Sequence, residues 1–414
     1  MFGFRAAAAG AAVLVLALSA SASAQDGRYA RLYETLWGNV NGAFYDPHFR
    51  GVDWAAQREA YRARAMAART DAEFAAVAGA MLGELGVSHL YITPPGVRTN
   101  ARGIGARFTA IGADTIVTHV SPLSDAARQG LRPGDRLLSP LDAVSGDLGS
   151  QARLRVQSCE GRRRTLDVRR ENVGFGERPG LRWQAMRANA DMRIGYIRVD
   201  RFDDGAAEMA DQAIAALASA QAIIIDIREN SGGNISALRL ASHFGQGAEA
   251  AVALMARPYL QALGHPVTAE TVRALPRIDR AYTDAAVFNA VNTNRGGAAF
   301  WTETVETPYR GRVFILIGPE TGSAAEGFAH YMRERTQARL IGEQTAGYLL
   351  SGENFDLGEG WSVTVPVHGL WSADGVDQAD RAVPPHDLVA PTRADLCAGR
   401  DAVLAEALRQ AEAR

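Results

Sequence analysis

The 414-residue chain contains no lysine: all 44 of its basic residues are arginine, a bias we attribute to genome composition. This absence excludes a serine–lysine dyad, so a nucleophilic serine here would need a histidine as its base. Cysteine is nearly absent as well. Cys159 and Cys397 are the only two, too few for a disulfide framework, and neither has a metal-ligand partner at zinc-binding spacing. Beyond the N-terminus no apolar run is long enough to cross a membrane. A formal net charge of −2 gives no reason to expect nucleic acid or an acidic membrane surface as partner.

The N-terminus reads as a secretory signal. Arg5 supplies a short positive region, Ala6 to Leu18 an apolar stretch, and Ala22-Ser23-Ala24 the small residues of a cleavage site. The mature chain is then expected to start near Gln25, in a periplasmic or secreted location; an uncleaved anchor is the alternative. Export would place Cys159 and Cys397 in an oxidising compartment, where they could pair.

Residues 28 to 90 read as helical. Leu32, Leu36, Val40 and Phe44 recur on one helical face until Tyr45-Asp46-Pro47 breaks the pattern. Thr70-Asp71-Ala72-Glu73 has the form of a capping box, followed by Phe74, Val77, Met81, Leu82 and Leu85 on one face and Gly86 as the stop. Ser88-His89 comes next. Residues 100 to 171 change to short strands, including Thr115-Ile116-Val117 and Arg153 to Val156. Between them Ser121 to Asp135, with Gly130-Leu131 and Gly134-Asp135, resembles the core of PDZ domains. The second helix usual in bacterial PDZ domains has only the short stretch Leu141 to Gly149 available to it. From Ile194 the pattern alternates. Ile194–Val199, Ala222–Ile227, Val313–Ile317 and Arg339–Gly342 are predicted strands, with a helix over Ala206–Ser219. Residues 246 to 310 read as a long, irregular connection.

Three segments carry candidate chemistry. Thr321-Gly322-Ser323-Ala324-Ala325-Glu326 follows an apolar strand. Ser323 could be the N-cap of a capping box and nothing more. The same geometry would suit a nucleophile, since a helix N-terminus stabilises developing negative charge. Asn230-Ser231-Gly232-Gly233 follows a buried strand. It could be an ordinary turn, or one half of an oxyanion hole through the Gly232 N–H, with the Ala324 N–H as the other half. Gly342 to Tyr348 is, alone, only a turn.

Taken in order, Ile194 to Val199, Asp226 to Gly233, Thr321 to Glu326 and Ile341 to Gly347 resemble the C-terminal processing peptidase and tricorn peptidase family of serine proteases. The resemblance implies an α/β fold: a crotonase-like ββα core with an N-terminal helical region and an inserted, shortened PDZ-like β domain. Its expected divisions are 1–24 (signal), 25–95 (helical region), 96–175 (PDZ-like) and 176–414 (peptidase core). In the processing branch a lysine follows the last turn; Tyr348 stands there instead. In the tricorn-like branch a Ser-His pair supplies the base, which by resemblance makes His89 the general base for Ser323 and Ser88 its link to a carboxylate. Strict registration of that acidic position falls on Ala379, and Asp380 is the nearest carboxylate. His330 is a rival base, but on the Ser323 helix it would sit about 10 Å along the axis. His386, after Pro384-Pro385, reads as a turn residue. The resemblance implies peptide or unfolded-protein substrates and no cofactor. A catalytically silent ligand- or peptide-binding protein on the same fold is the alternative, and a scaffold using the PDZ-like edge a third.

Overall fold

The computed structural model describes residues 27–95, 103–171, 180–187 and 192–413. The expected signal, the Gln25 start and the boundaries of the PDZ-like segment fall at or within stretches outside these residues.

A fully buried strand sits at the centre of the first sheet. Ala222–Asp226 is buried at every position, as expected of a strand covered on both faces. It pairs in parallel with Arg193–Val199 on one side and Arg312–Ile317 on the other. Arg339–Gly342 and Asp387–Leu388 extend the sheet, and Leu181–Arg187 closes the far edge antiparallel. The period-2 rule then sorts the side chains. Ile223, Ile225, Ile315 and Ile317 face the helices Ala206–Ala216, Ala237–Ser242 and Ala324–Arg335. Ile224, Phe314, Leu316 and Ile341 face the terminal helix Ala402–Glu412 through Val403, Ala407 and Ala411.

A second sheet is built around the long strand Trp361–Ser372, which pairs with Tyr91–Thr93, Ala250–Ala256 and Ser351–Gly358. Its core is shared with the N-terminal helices, residues 27–43, Trp54–Met66 and Asp71–Gly83. Leu32, Leu36, Val40 and Phe44 are buried against it, as are Phe74, Met81 and Leu85. Thr70 caps its helix by accepting the Glu73 N–H. The helical region therefore shares one core with residues far down the chain.

The stretch 246–310 is not the irregular connection its composition suggests. It holds the strands Ala250–Ala256 and Gly297–Trp301 and the helices Arg257–Leu263, Ala269–Ala274 and Asp284–Thr293. Each element is short, so hydrophobic period is faint, and the two strands are defined by their pairing in the second sheet.

A third sheet of five strands spans Ala106 to Arg169 around its own small core. Only a short helix, Asp125–Arg128, and a single turn at Leu141–Val144 accompany it. Cys159 and Cys397 form a disulfide that ties this sheet to the C-terminal segment. Arg393 reinforces the tie, donating to the Gly134 carbonyl at 3.0 Å and the Ser158 carbonyl at 2.9 Å.

Candidate active site

Ser323 sits between the buried strand Arg312–Ile317 and the helix Ala324–Arg335 with φ 52° and ψ −124°. A serine held at positive φ costs about 1–3 kcal/mol and persists only where its surroundings impose it. Here they do. Thr321 donates its hydroxyl to the Ile227 carbonyl at 2.9 Å, and the Gly322 N–H reaches the Asn230 carbonyl at 3.0 Å. The turn is thereby pinned to the glycine turn of the neighbouring strand. A Cβ on Gly232 would lie 2.7 Å from Ser323 Cβ, so only glycine lets the two turns approach this closely.

Glu326 fixes the same turn from behind. Its carboxylate is fully buried. Oε1 accepts from Thr345 Oγ1 at 2.6 Å and the Gly347 N–H at 2.5 Å. Oε2 accepts the Tyr348 N–H at 2.7 Å and the Ser323 N–H at 3.1 Å. Burial pushes this carboxyl above its ordinary pKa, against the opposing pull of these donors. The sequence motif suggested a helix cap; the residue also holds the 345–348 turn against the serine.

The structure brings Ser88, His89 and Asp380 together. His89 Nδ1 lies 3.2 Å from Ser88 Oγ. Asp380 Oδ1 accepts from Ser88, through the backbone N–H at 3.1 Å rather than through the hydroxyl. His89 and Asp380 both occupy left-handed backbone, φ 57° and 55°. Arg50 Nη1 lies 4.0 Å from Asp380 Oδ2. Burial lowers the His89 pKa below its usual value, with the Asp380 charge opposing. The imidazole is therefore mainly neutral at pH 7, the state a base needs.

His89 and Ser323 line one cavity of about 260 Å³. No direct hydrogen bond joins them. The rest of its wall is mostly apolar and includes Leu238, Val252, Leu254, Val287, Phe288 and Leu350. Four of these lie in the stretch 246–310. None had a legible signal, because an apolar lining residue and a core residue look alike in sequence.

The N–H groups expected to form an oxyanion hole differ in their surroundings. The Gly232 N–H already donates to Asn230 Oδ1 at 2.9 Å. Gly233, the next residue, lines the cavity, and its N–H has no acceptor among the described residues; the Ala324 N–H likewise has none. The free donor is therefore one residue later than expected. A Cβ on Gly233 would lie 1.8 Å from the Phe202 carbonyl oxygen, so this position also excludes any side chain.

The rival histidines lie elsewhere. His330 Nε2 bonds the Arg381 carbonyl at 2.9 Å. His386 Nδ1 accepts the Leu340 N–H at 3.0 Å, anchoring a turn beside the sheet. Tyr348 is exposed.

The family model of peptidase family S41 matches residues 193–389, and that of the tricorn protease C1 domain matches 27–83. Tricorn protease homolog 2 of Streptomyces coelicolor is 23% identical over 92% of this chain. The chain spans only 32% of that relative's length. Among solved structures, the photosystem II D1 C-terminal processing protease aligns over 91% of this chain and 98% of its own, with TM-score 0.57 and 20% identity. Mature CPAF complexed with lactacystin aligns over 93% and 97%, with TM-score 0.65 and 14% identity.

Proposed function

The chain belongs to peptidase family S41, and on that premise we propose that it is an exported serine endopeptidase of tricorn-like type. The observation that carries the reading is Ser323, held at positive φ on a helix N-terminus and sharing a cavity with His89, whose pKa burial lowers. Ser323 Oγ attacks the peptide carbonyl carbon. His89 takes the hydroxyl proton and returns it to the leaving amine, and water then hydrolyses the acyl-enzyme by the reverse sequence. The Gly233 and Ala324 N–H groups hold the oxyanion. Ser88 and Asp380 keep the imidazole in place. The central parallel sheet is then the crotonase-like core and the sheet of residues 106–169 the PDZ-like insert. Substrates are peptides or unfolded proteins met in the periplasm or outside the cell.

A second reading has two observations in its favour. Ser323 and His89 make no direct hydrogen bond, and the cavity beside them is largely apolar. Those features also suit a silent carrier of apolar ligands. A fluorophosphonate probe separates the two. The peptidase reading expects labelling of the mature protein that is lost in Ser323→Ala and strongly slowed in His89→Ala. Labelling that survives in Ser323→Ala removes the nucleophile. An unlabelled wild type favours the carrier.

A further inference from the structure

Phe49 (φ 49°) and Arg50 (φ 54°) are left-handed in succession, followed by Gly51 (φ 86°). Each of the first two costs about 1–3 kcal/mol and persists only where its surroundings impose it. Here they do. Asp46 Oδ1 accepts the His48 N–H at 2.9 Å, and Oδ2 accepts the Arg50 N–H at 2.7 Å. The Phe49 ring stacks on Phe44 and on Trp54, with centroids 5.7 and 5.8 Å away. The Tyr45 N–H donates to the Pro366 carbonyl at 3.0 Å, which ties the turn to the second sheet.

The strained turn delivers the Arg50 side chain to two carboxylates. Its Nη1 donates to Tyr45 Oη at 3.1 Å and lies 3.9 Å from Asp377 Oδ2 and 4.0 Å from Asp380 Oδ2. Asp377 and Asp380 flank Ala379, where the resemblance expects the acidic residue. Asp377 serves its own loop, with Oδ1 accepting the Ala379 N–H at 2.8 Å. Burial pushes its carboxyl above the ordinary pKa; Arg50 opposes this and the Asp380 charge adds to it. Asp380 gives Oδ1 to the Ser88 N–H, while its Oδ2 is buried and accepts no hydrogen bond among the described residues. The charged and titratable groups facing Arg50 are thus Tyr45 and Asp46 from its own turn, and Asp377 and Asp380 from the loop. Two carboxylates that share one cation repel each other when it is removed. A buried carboxylate oxygen left uncompensated is costly, and turning toward water relieves it. That turn would take Oδ1 off Ser88.

We propose that Arg50 is a positioning residue for His89: its guanidinium holds the Asp380 carboxylate in the orientation that braces the Ser88-His89 turn. Arg50 does not line the cavity at Ser323, so it acts only through Asp380. The effect on rate rests on the peptidase reading; the brace itself does not.

The test compares the wild type with Arg50→Gln, Arg50→Lys, Asp380→Ala and the double variant of Arg50→Gln with Asp380→Ala. Fluorophosphonate labelling, measured above the His89 midpoint, reports the chemistry. It should slow about tenfold in Arg50→Gln and return to within about threefold of wild type in Arg50→Lys. In the Asp380→Ala background, Arg50→Gln should change the rate by less than about twofold, because the carboxylate it acts through is gone. A second readout needs no reaction: the His89 imidazole is titrated by NMR, its signal identified by its loss in His89→Ala. The midpoint should fall in Arg50→Gln, because the Asp380 charge has moved away from the ring. Removing a cation while Asp380 stayed in place would raise it instead. A midpoint that rises or stays unchanged overturns the proposal, as does an equal loss of rate with and without Asp380. A wild type that resists labelling, with a midpoint that still falls in Arg50→Gln, would leave the brace standing and remove the peptidase reading.

Discussion

The Ser88 N–H donates to Asp380 Oδ1 at 3.1 Å across 292 residues of sequence. This bond fixes the short turn that carries His89, and it enters through the backbone, so Asp380 positions the histidine without touching it. Asp380→Ala should remove the brace. We expect kcat/KM to fall about tenfold to a hundredfold, with stability reduced by only about 1 kcal/mol. Asp380→Asn keeps an oxygen acceptor and should retain most of the rate while changing its pH profile. The His89 pKa is depressed by burial and raised by the Asp380 charge. Activity of the wild type should therefore rise with pH through a half-point below 6.5, and in Asp380→Asn that half-point should drop further. A pH–rate profile identical in the two proteins would remove the electrostatic coupling.

Glu326 offers a sharper contrast. Each of its oxygens accepts two donors. Glutamine keeps one oxygen and turns an NH2 group toward donors on the other side. Glu326→Gln is thus not conservative here, and should cost about 2 kcal/mol in urea unfolding, with Glu326→Ala costing about 3 kcal/mol or more. Both should slow fluorophosphonate labelling, because the Ser323 N–H and the 345–348 turn lose their common acceptor. Wild-type labelling rates in Glu326→Gln would show that the serine keeps its conformation without the carboxylate.

Much of the central sheet was legible because its strands are buried on both faces. Ala222–Asp226 could hardly be read otherwise, and the amphipathic faces of the first helices were equally plain. The second sheet was not. Ala250–Ala256 has seven small or aliphatic residues without alternation, and its identity as a strand comes from partners at 297–301 and 361–372. The site divided along similar lines. Ser323, Ser88-His89 and the paired glycines stood out as motifs in order. Which glycine has a free N–H could not be read, since adjacent glycines are equivalent until Asn230 Oδ1 takes one of them. The disulfide was open for the same reason: pairing over 238 residues depends on the docking of a whole sheet.

His368 should make the protein acid-sensitive. It is buried at 2% exposure, and desolvation lowers its pKa from 6.5 to about 4. Between those values the unfolded chain binds a proton that the folded chain refuses. Its contribution to stability is therefore complete above about pH 6.5 and is lost as pH falls toward 4, amounting to about 3 kcal/mol. Urea midpoints measured from pH 7 to pH 4 should decline, and the decline should be shallower in His368→Gln. Parallel declines in the two proteins would assign the acid sensitivity to other groups.

The Cys159–Cys397 bond closes a loop of 238 residues between the five-stranded sheet and the C-terminal segment. In the chain-entropy account, a cross-link of this span restricts the unfolded state by about 5–6 kcal/mol. The folded contact does not depend on the bond alone, because Arg393 also grips Gly134 and Ser158. Cys159→Ser should therefore still fold, with a lower urea midpoint that a reducing agent does not lower further. The wild type in reducing agent should match it. Arg393→Ala in the oxidised protein should cost little, since the disulfide holds the sheet in place. Combined with Cys159→Ser, it should cost more than the two single changes added together. Limited proteolysis would report the consequence, with cleavage between the sheet and the core becoming fast only in the double variant. Equal cleavage in all four proteins would mean that the sheet is held by other contacts.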